Sequence, residues 1–121
     1  MKRDMDLVRR ILLAYEASNE WRVEEELVIE GYRKDEIEYH QHIMRDAGFL
    51  QPAKTWLFKG TQMESGTRLT WAGHDFLEAS RDEKRWKQAK KIAGKVGVFT
   101  LEILKQVLTQ LIQTQLKQVM E

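Results

Sequence analysis

The 121-residue chain contains no cysteine, only one proline and no long run of apolar residues. Without cysteine it can form neither a disulfide framework nor a thiolate zinc site. Its apolar runs fall far short of the roughly 20 residues that a helix needs to cross a bilayer. The opening residues, MKRDMD, carry charges where a signal peptide has its apolar segment. We therefore expect a cytoplasmic protein that has no membrane partner.

Sequence signatures of catalysis are also missing. The chain has no P-loop, no GxGxxG motif after a strand and no nucleophile elbow. His40 follows Glu36 by one helical turn, but no second pair at ligand spacing accompanies them, so we expect His40 to be a hydrogen-bonded core residue. These observations predict a protein that is not an enzyme and that uses no cofactor or metal.

The composition favours a helix-rich chain whose charge is unevenly distributed. Apolar residues make up 42% and charged residues 32%, with a net charge of only +1. Residues 16–38 contain nine acids and three bases, a balance of 3 − 9 = −6, whereas residues 81–95 contain seven bases and two acids, a balance of 7 − 2 = +5. In the basic segment Trp86 fits a buried apolar stripe, so we expect the lysines to form a solvated face. If DNA is bound, that face adds phosphate contacts.

The first part of the chain predicts a helix and then a short strand. Asp4 or Asp6 can cap a helix that runs to about Ser18. A second, short helix is the alternative for the segment that follows. Residues 24–30 contain the apolar run Leu27–Ile29, in which Val28 and Ile29 are β-branched, and this favours a strand there.

The stretch from Arg33 to Leu50 predicts one amphipathic helix that ends at a glycine. Gly48 stands where a helix needs a left-handed residue, and apolar chain follows at once. The apolar residues that recur at helical spacing are Ile37, His40, Met44 and Ala47, with Ile43 beside them.

A β-hairpin is predicted after that helix. Phe49–Lys59 and Thr67–Trp71 are the expected strands, joined by Gly60–Gly66, which is too long for a tight turn. Pro52 suits an edge strand because proline cannot donate a ladder hydrogen bond.

Three further helices complete the prediction. Thr70 can cap the first, in which Gly73 would allow a close approach to the sheet. Asp82 can cap the second, and Thr100 can begin a last helix that ends near Met120.

Two passages resemble known families. The Ala-Gly-Phe-Leu passage at residues 47–50 and the string LTWAGHDFL at residues 69–77 are similar to those of bacterial winged helix-turn-helix regulators. KRDMDLVR at residues 2–9, together with LTWAGHDFL, resembles an uncharacterised bacterial and phage family of small proteins, a domain of unknown function. This resemblance covers nearly the whole chain and implies a winged-helix-like fold that occurs in mobile elements. We therefore expect a helix-rich α+β fold, with a winged helix-turn-helix domain at residues 1–80 and a C-terminal helical extension at residues 81–121.

The expected function is binding of double-stranded DNA in a regulatory, phage-related protein. Phosphate neutralisation supplies most of the affinity for DNA. We therefore expect the cations of the central helix and the wing to contact DNA. The helix nevertheless has three bases against four acids, Glu36 and Glu38 lie on its outward face, and Gln41 replaces the usual buried leucine. The candidate DNA-binding residues are Arg33, Lys34, Tyr39, His42, Arg45, Lys54, Lys59 and Arg68.

Two alternatives concern protein partners. The acidic surface of residues 16–38 would suit a protein-interaction module that engages a basic partner and binds no nucleic acid. The last helix carries more apolar surface than an isolated helix can leave exposed, so it either packs on its own chain or forms a homodimer. The candidate dimerisation residues are Leu101, Leu104, Leu108, Leu111 and Ile112.

Overall fold

The computed structural model describes all 121 residues and has a helix-rich α+β fold, as predicted. Two compact units, Met1–His74 and Asp75–Glu121, each have buried side chains of their own. The predicted domain limits of 1–80 and 81–121 remain a prediction. The five helices and two strands are α1 (Met5–Ala17), α2 (Lys34–Asp46), β1 (Leu50–Phe58), β2 (Thr61–Leu69), α3 (Trp71–Ser80), α4 (Glu83–Val96) and α5 (Leu101–Met120).

Helix α1 begins, and helix α2 ends, at a residue that the sequence marks. The Asp4 carboxylate accepts hydrogen bonds from the backbone N–H groups of the first turn of α1, so Asp4 is the N-cap. Gly48 adopts a φ of +81° after α2. The Gly48 N–H then donates to the Arg45 carbonyl and the Phe49 N–H to the Met44 carbonyl, the pair of bonds that defines a Schellman ending. This ending turns the chain from α2 directly into β1.

Buried polar contacts fix α2 against α1. His40 is 1% exposed, and its Nε2 accepts a hydrogen bond of 2.8 Å from the Asp4 backbone N–H. Its Nδ1 lies 2.8 Å from the Glu36 carbonyl oxygen. The Gln41 amide donates to the Tyr15 hydroxyl over 2.7 Å, which explains why a polar residue replaces the expected leucine. The prediction that His40 is a hydrogen-bonded core residue is confirmed.

The hairpin is longer and more tightly closed than predicted. Its strands pair in antiparallel register from Leu50 with Leu69 to Phe58 with Thr61. The connection is only Lys59–Gly60, with φ values of +50° and +79°, as a two-residue type I′ turn requires. The predicted loop at residues 60–66 was therefore wrong. Residues 61–65 do not alternate between apolar and polar side chains. The far half of the hairpin is exposed on both faces, so neither face there needs apolar residues.

A single bridge extends the sheet on its other side. Val23 and Thr67 exchange backbone hydrogen bonds of 2.8 and 2.9 Å, so β2 has a neighbour on both sides and β1, which contains Pro52, is an edge strand as predicted. The predicted strand at residues 24–30 was wrong, because this segment has neither helix nor strand. Beyond Val23 the segment makes no further bridge to β2, and β propensity without a pairing partner does not make a strand.

Helix α3 begins as its sequence predicts. The Thr70 hydroxyl accepts a hydrogen bond of 3.0 Å from the Gly73 N–H and donates to the Gly48 carbonyl. A Cβ atom at Gly73 would lie 2.5 Å from the Phe49 carbonyl oxygen. Glycine therefore permits this close approach, as predicted.

The second unit is held by packing of α4 against α5. Trp86, Ala89 and Ala93 of α4 are buried, which confirms that Trp86 belongs to an apolar stripe. Val96, at the last position of α4, is 63% exposed. Arg85 also donates to the Gln115 side chain over 3.0 Å. No helix in the structure has both the length and the apolarity that a membrane-spanning segment requires.

Candidate functional site

The exposed half of the hairpin carries a cluster of apolar and basic side chains on one face. Lys54, Trp56 and Phe58 alternate along β1 and so project from the same side of the strand. Met63 of β2 is the cross-strand partner of Trp56 and lies on that side as well. We refer to Lys54, Trp56, Phe58 and Met63, with Lys59 of the adjoining turn, as the aromatic face.

The aromatic face is open to solvent. Trp56 is 40%, Phe58 57% and Met63 38% exposed, whereas Leu50 and Leu69, on the same side at the base of the hairpin, are buried. Adjacent exposed rings of this size are unfavourable in water and mark surfaces that contact another molecule.

Two lysines border the exposed rings. The Lys54 Nζ lies 6.0 Å from the centre of the Trp56 ring and the Lys59 Nζ 5.5 Å from the centre of the Phe58 ring, both within cation–π range. No carboxylate lies within ion-pair distance of either ammonium group. Both charges are therefore available to an external anion.

The cations of α2 and its N-cap are in the opposite situation. Arg33 lies 3.3 Å from Asp35 and 3.4 Å from Glu36. Lys34 lies 3.6 Å from Glu26 and 4.0 Å from Glu38. Each positive charge is thus offset by local carboxylates, and this side of the molecule offers little attraction to a polyanion.

Arg45, at the other end of α2, is also paired. Its guanidinium donates to both carboxylate oxygens of Glu64, over 3.0 and 3.2 Å. Arg68, at the base of the hairpin, donates to the Gln51 side chain over 2.8 Å and to the Leu69 carbonyl over 3.1 Å. Tyr39 and His42 are exposed on α2. The eight predicted DNA-binding residues therefore fall into a helix set of five and a hairpin set of three. Among all eight, only Lys54 and Lys59 are cations without a hydrogen bond or an ion pair.

The sequence prediction missed the exposed rings. Trp56, Leu57 and Phe58 were assigned to a strand without any proposal for their surroundings. A signal was available, since three consecutive large apolar residues in a two-stranded hairpin cannot all be covered by one core. Leu57, which projects from the opposite face, is accordingly 76% exposed.

A cleft lies on the first unit, separate from the aromatic face. It is a cleft of about 450 Å³, bordered by side chains of both charges that include Glu16, Glu20 and Arg68. Tyr15 also borders it, and burial raises the pKa of its hydroxyl, an effect that hydrogen bonds with Gln41 and Thr67 oppose. No group of three or more histidine or acidic side chains in the structure is arranged to hold a metal ion.

Comparison with known proteins places the chain within a family. Residues 2–99 match the family described as "Hypothetical protein (DUF2513)". An "Uncharacterized protein" of Haemophilus influenzae strain Rd is 30% identical over 120 residues, which cover 96% of this chain and 99% of that protein. No solved structure is significantly similar to the chain. The match confirms the resemblance to a family of unknown function that KRDMDLVR and LTWAGHDFL indicated.

Proposed function

The chain belongs to the DUF2513 family of hypothetical proteins, and we propose that it is a non-catalytic, winged-helix-like regulatory protein that binds double-stranded DNA. One observation carries the proposal. The hairpin places two lysines that have no acidic partner, Lys54 and Lys59, on a part of the chain that extends away from its buried base. Free cations on a projecting ribbon are suited to neutralise phosphates, which supply most of the affinity for DNA.

The order of elements supports the winged-helix description. Helix α1, the Val23 bridge, helix α2 and the β1–β2 hairpin follow one another, and the Gly48 ending leads α2 directly into the hairpin. Residues 24–33 are irregular where a usual regulator would have the first helix of its helix-turn-helix. The fold is therefore winged-helix-like, with irregular chain in place of the first helix of a helix-turn-helix.

The charge distribution assigns different functions to the two candidate sets. The lysines of the hairpin contact phosphates and position the protein without reading sequence. Carboxylates that include Asp35, Glu36 and Glu64 hold the cations of α2 and its N-cap, and the acids here outnumber the bases, so this helix offers DNA no net positive charge. Tyr39 and His42 are the exposed ring side chains of α2 that remain to contact base edges.

The test is the salt dependence of binding to a mixed-sequence duplex. We expect the full chain to bind at low salt with an affinity that falls steeply as salt rises. Replacing both Lys54 and Lys59 with Glu should abolish this binding. The double variant Lys105→Glu, Lys117→Glu makes the same change in net charge on α5 and should bind like the parent. Equal loss in both variants would show that only net charge matters and would remove the hairpin from the proposal.

The rival function is a protein-interaction module that uses the acidic surface of residues 16–38. Glu24, Glu25 and Glu26 are all exposed, which suits a basic partner. Arg22 lies 3.7 Å from Glu24 and Lys34 3.6 Å from Glu26, however, so nearby cations offset two of these three charges. We therefore favour DNA. Absence of duplex binding at low salt, where charge contacts are strongest, would favour the protein-interaction module over DNA binding.

The proposed protein is a homodimer joined through the end of α5. Leu104 and Leu108, two of the five candidate dimerisation residues, are buried within the second unit and need no partner subunit to cover them. Leu101, Leu111 and Ile112 are half-buried. Beyond them Leu116, Val119 and Met120 are 53%, 78% and 77% exposed and extend the apolar surface toward the C-terminus. This segment is the most suitable one for a symmetric contact. An association with phages or mobile elements remains a prediction.

A further inference from the structure

The aromatic face has more apolar surface than phosphate binding requires. Phosphates attract ammonium groups, whereas Trp56, Phe58 and Met63 gain nothing from contact with a charged backbone. We infer that this face stacks on unpaired bases, and that the preferred substrate is DNA with a single-stranded segment. The inference rests on the proposed function, because it requires that the hairpin bind nucleic acid.

The spacing of the two rings suits an unpaired strand. Trp56 and Phe58 are two residues apart on one face of β1, which places their Cα atoms roughly 6.8 Å apart along the strand. Successive bases in a duplex strand are about 3.4 Å apart and cover one another's faces. Two rings at twice that distance cannot stack on neighbouring bases of an intact duplex. An extended single strand exposes base faces that can separate to meet them.

The positions of the lysines support the same occupant. Each exposed ring has its own ammonium group, Lys54 beside Trp56 and Lys59 beside Phe58, at 6.0 and 5.5 Å from the ring centres. A nucleotide has the same two parts, a flat base and an anionic phosphate. A ring with a neighbouring free cation therefore complements one nucleotide, and the aromatic face presents two such sites in series.

The hairpin holds these side chains in place. The paired register continues to Phe58 and Thr61, and the two-residue turn leaves no flexible loop at the tip. Rings carried by paired strands lose little conformational freedom on binding, so more of the stacking energy appears as affinity.

The experiment compares three DNA probes with the full chain by fluorescence anisotropy: a 20-nucleotide oligo-dT, a blunt mixed duplex of equal length, and that duplex with a dT overhang. We expect oligo-dT and the overhang to bind about tenfold or more tightly than the blunt duplex. Trp56→Val and Phe58→Val should each remove about tenfold of the affinity for oligo-dT while changing that for the blunt duplex by less than about twofold. Valine keeps a strand-forming residue at each position.

Control variants and circular dichroism separate loss of stacking from loss of fold. Leu57→Val changes a neighbouring side chain on the opposite face and should leave oligo-dT binding unchanged. Phe58 lies at the tip and is 57% exposed, so its substitution tests the inference even if Trp56→Val does not fold.

The outcomes distinguish the two proposals. Blunt duplex bound as tightly as oligo-dT, or oligo-dT affinity unchanged in the folded Phe58→Val variant, would overturn this inference and leave the proposed function standing. No binding of any probe at low salt would overturn both and favour a protein partner for the aromatic face.

Discussion

Arg45 near the end of α2 and Glu64 on β2 form a parallel pair of hydrogen bonds, 3.0 Å from Nη1 to Oε1 and 3.2 Å from Nη2 to Oε2. The pair joins the helix to the hairpin across 19 positions of sequence. Both side chains are partly exposed, at 43% and 45%, so we expect it to stabilise the fold by no more than about 1 kcal/mol. Its larger effect concerns charge, because the ion pair neutralises Arg45, the cation of α2 that reaches the hairpin.

Releasing Arg45 should strengthen DNA binding. In Glu64→Gln the guanidinium loses its anionic partner and becomes available to a phosphate, so we expect tighter duplex binding and a salt slope steeper by about one. The double variant Arg45→Gln, Glu64→Gln should lose this gain, since its cation is absent. Affinity measured over a series of salt concentrations checks both. A gain that persists in the double variant would show that removing one acid from the hairpin, and not releasing Arg45, is the cause.

A methyl group at Gly73 should destabilise the protein. The added Cβ would lie 2.5 Å from the Phe49 carbonyl oxygen, a backbone atom that cannot move away cheaply, so Gly73→Ala should lower the free energy of unfolding by about 1–3 kcal/mol. Gly94→Ala is the matched control, because its Cβ would meet only the Phe99 ring at 3.5 Å. Because alanine is the better helix former, the free energy of unfolding of that variant should rise by up to about 1 kcal/mol. Urea unfolding that gave both variants the same change would contradict the close approach at Gly73.

The buried imidazole of His40 should matter for stability far more than the exposed one of His42. In His40→Leu the Asp4 backbone N–H loses its acceptor, so the free energy of unfolding should fall by about 1–3 kcal/mol. His42→Leu breaks no structural contact and should stay within about 0.5 kcal/mol of the parent. Thermal or urea unfolding measures both. Equal stabilities would mean that the hydrogen bonds of His40 contribute nothing to holding α2 against α1.

The burial of Tyr15 predicts a loss of stability at alkaline pH. Burial raises the pKa of the Tyr15 hydroxyl above its ordinary value of 10.0, and hydrogen bonds with Gln41 and Thr67 oppose part of the rise. The unfolded chain therefore releases this proton at lower pH than the folded chain. The resulting stability is present below pH 10 and is lost as pH rises through the folded pKa.

Tyr15→Phe should accordingly show a shallower fall in unfolding free energy between about pH 9 and pH 11. Its stability at neutral pH will also be lower, since the hydrogen bond from Gln41 is lost, so the slope and not the absolute value is the test. Burial raises the pKa of Tyr32 as well, and that contribution should remain in the variant. Parallel curves for Tyr15→Phe and the parent would contradict the prediction.

Self-association should depend on the exposed end of α5. Leu116 and Val119 are 53% and 78% exposed, and we expect the double variant Leu116→Gln, Val119→Gln to be monomeric where the parent is a dimer. Val28→Gln, at a residue that is 88% exposed in the first unit, should leave the dimer intact. Light scattering gives the mass of each protein. A monomeric parent would contradict the dimer proposal. A dimeric double variant would show that the dimer contact lies elsewhere.

The sequence alone determined where four of the helices begin and where two of them end, because these features depend on residues within one turn of each other. Asp4, Thr70, Asp82 and Thr100 each accept a backbone N–H from two or three positions ahead, and Gly48 and Gly97 adopt positive φ after their helices. Side-chain oxygen at an N-cap and a missing Cβ after a C-cap are local properties, and the sequence displays them directly.

Only the tertiary structure decided which side chains are available to a partner. The strand predicted at residues 24–30 is absent because the chain makes no bridge to β2 beyond Val23, and the extent of β2 was hidden because neither face of the hairpin tip is buried. Arg45 looked as free as Lys54 in the sequence, yet it is held by a carboxylate 19 positions away. Pairing, burial and charge neutralisation depend on residues that are distant in the chain, so they are settled only when folding brings those residues together.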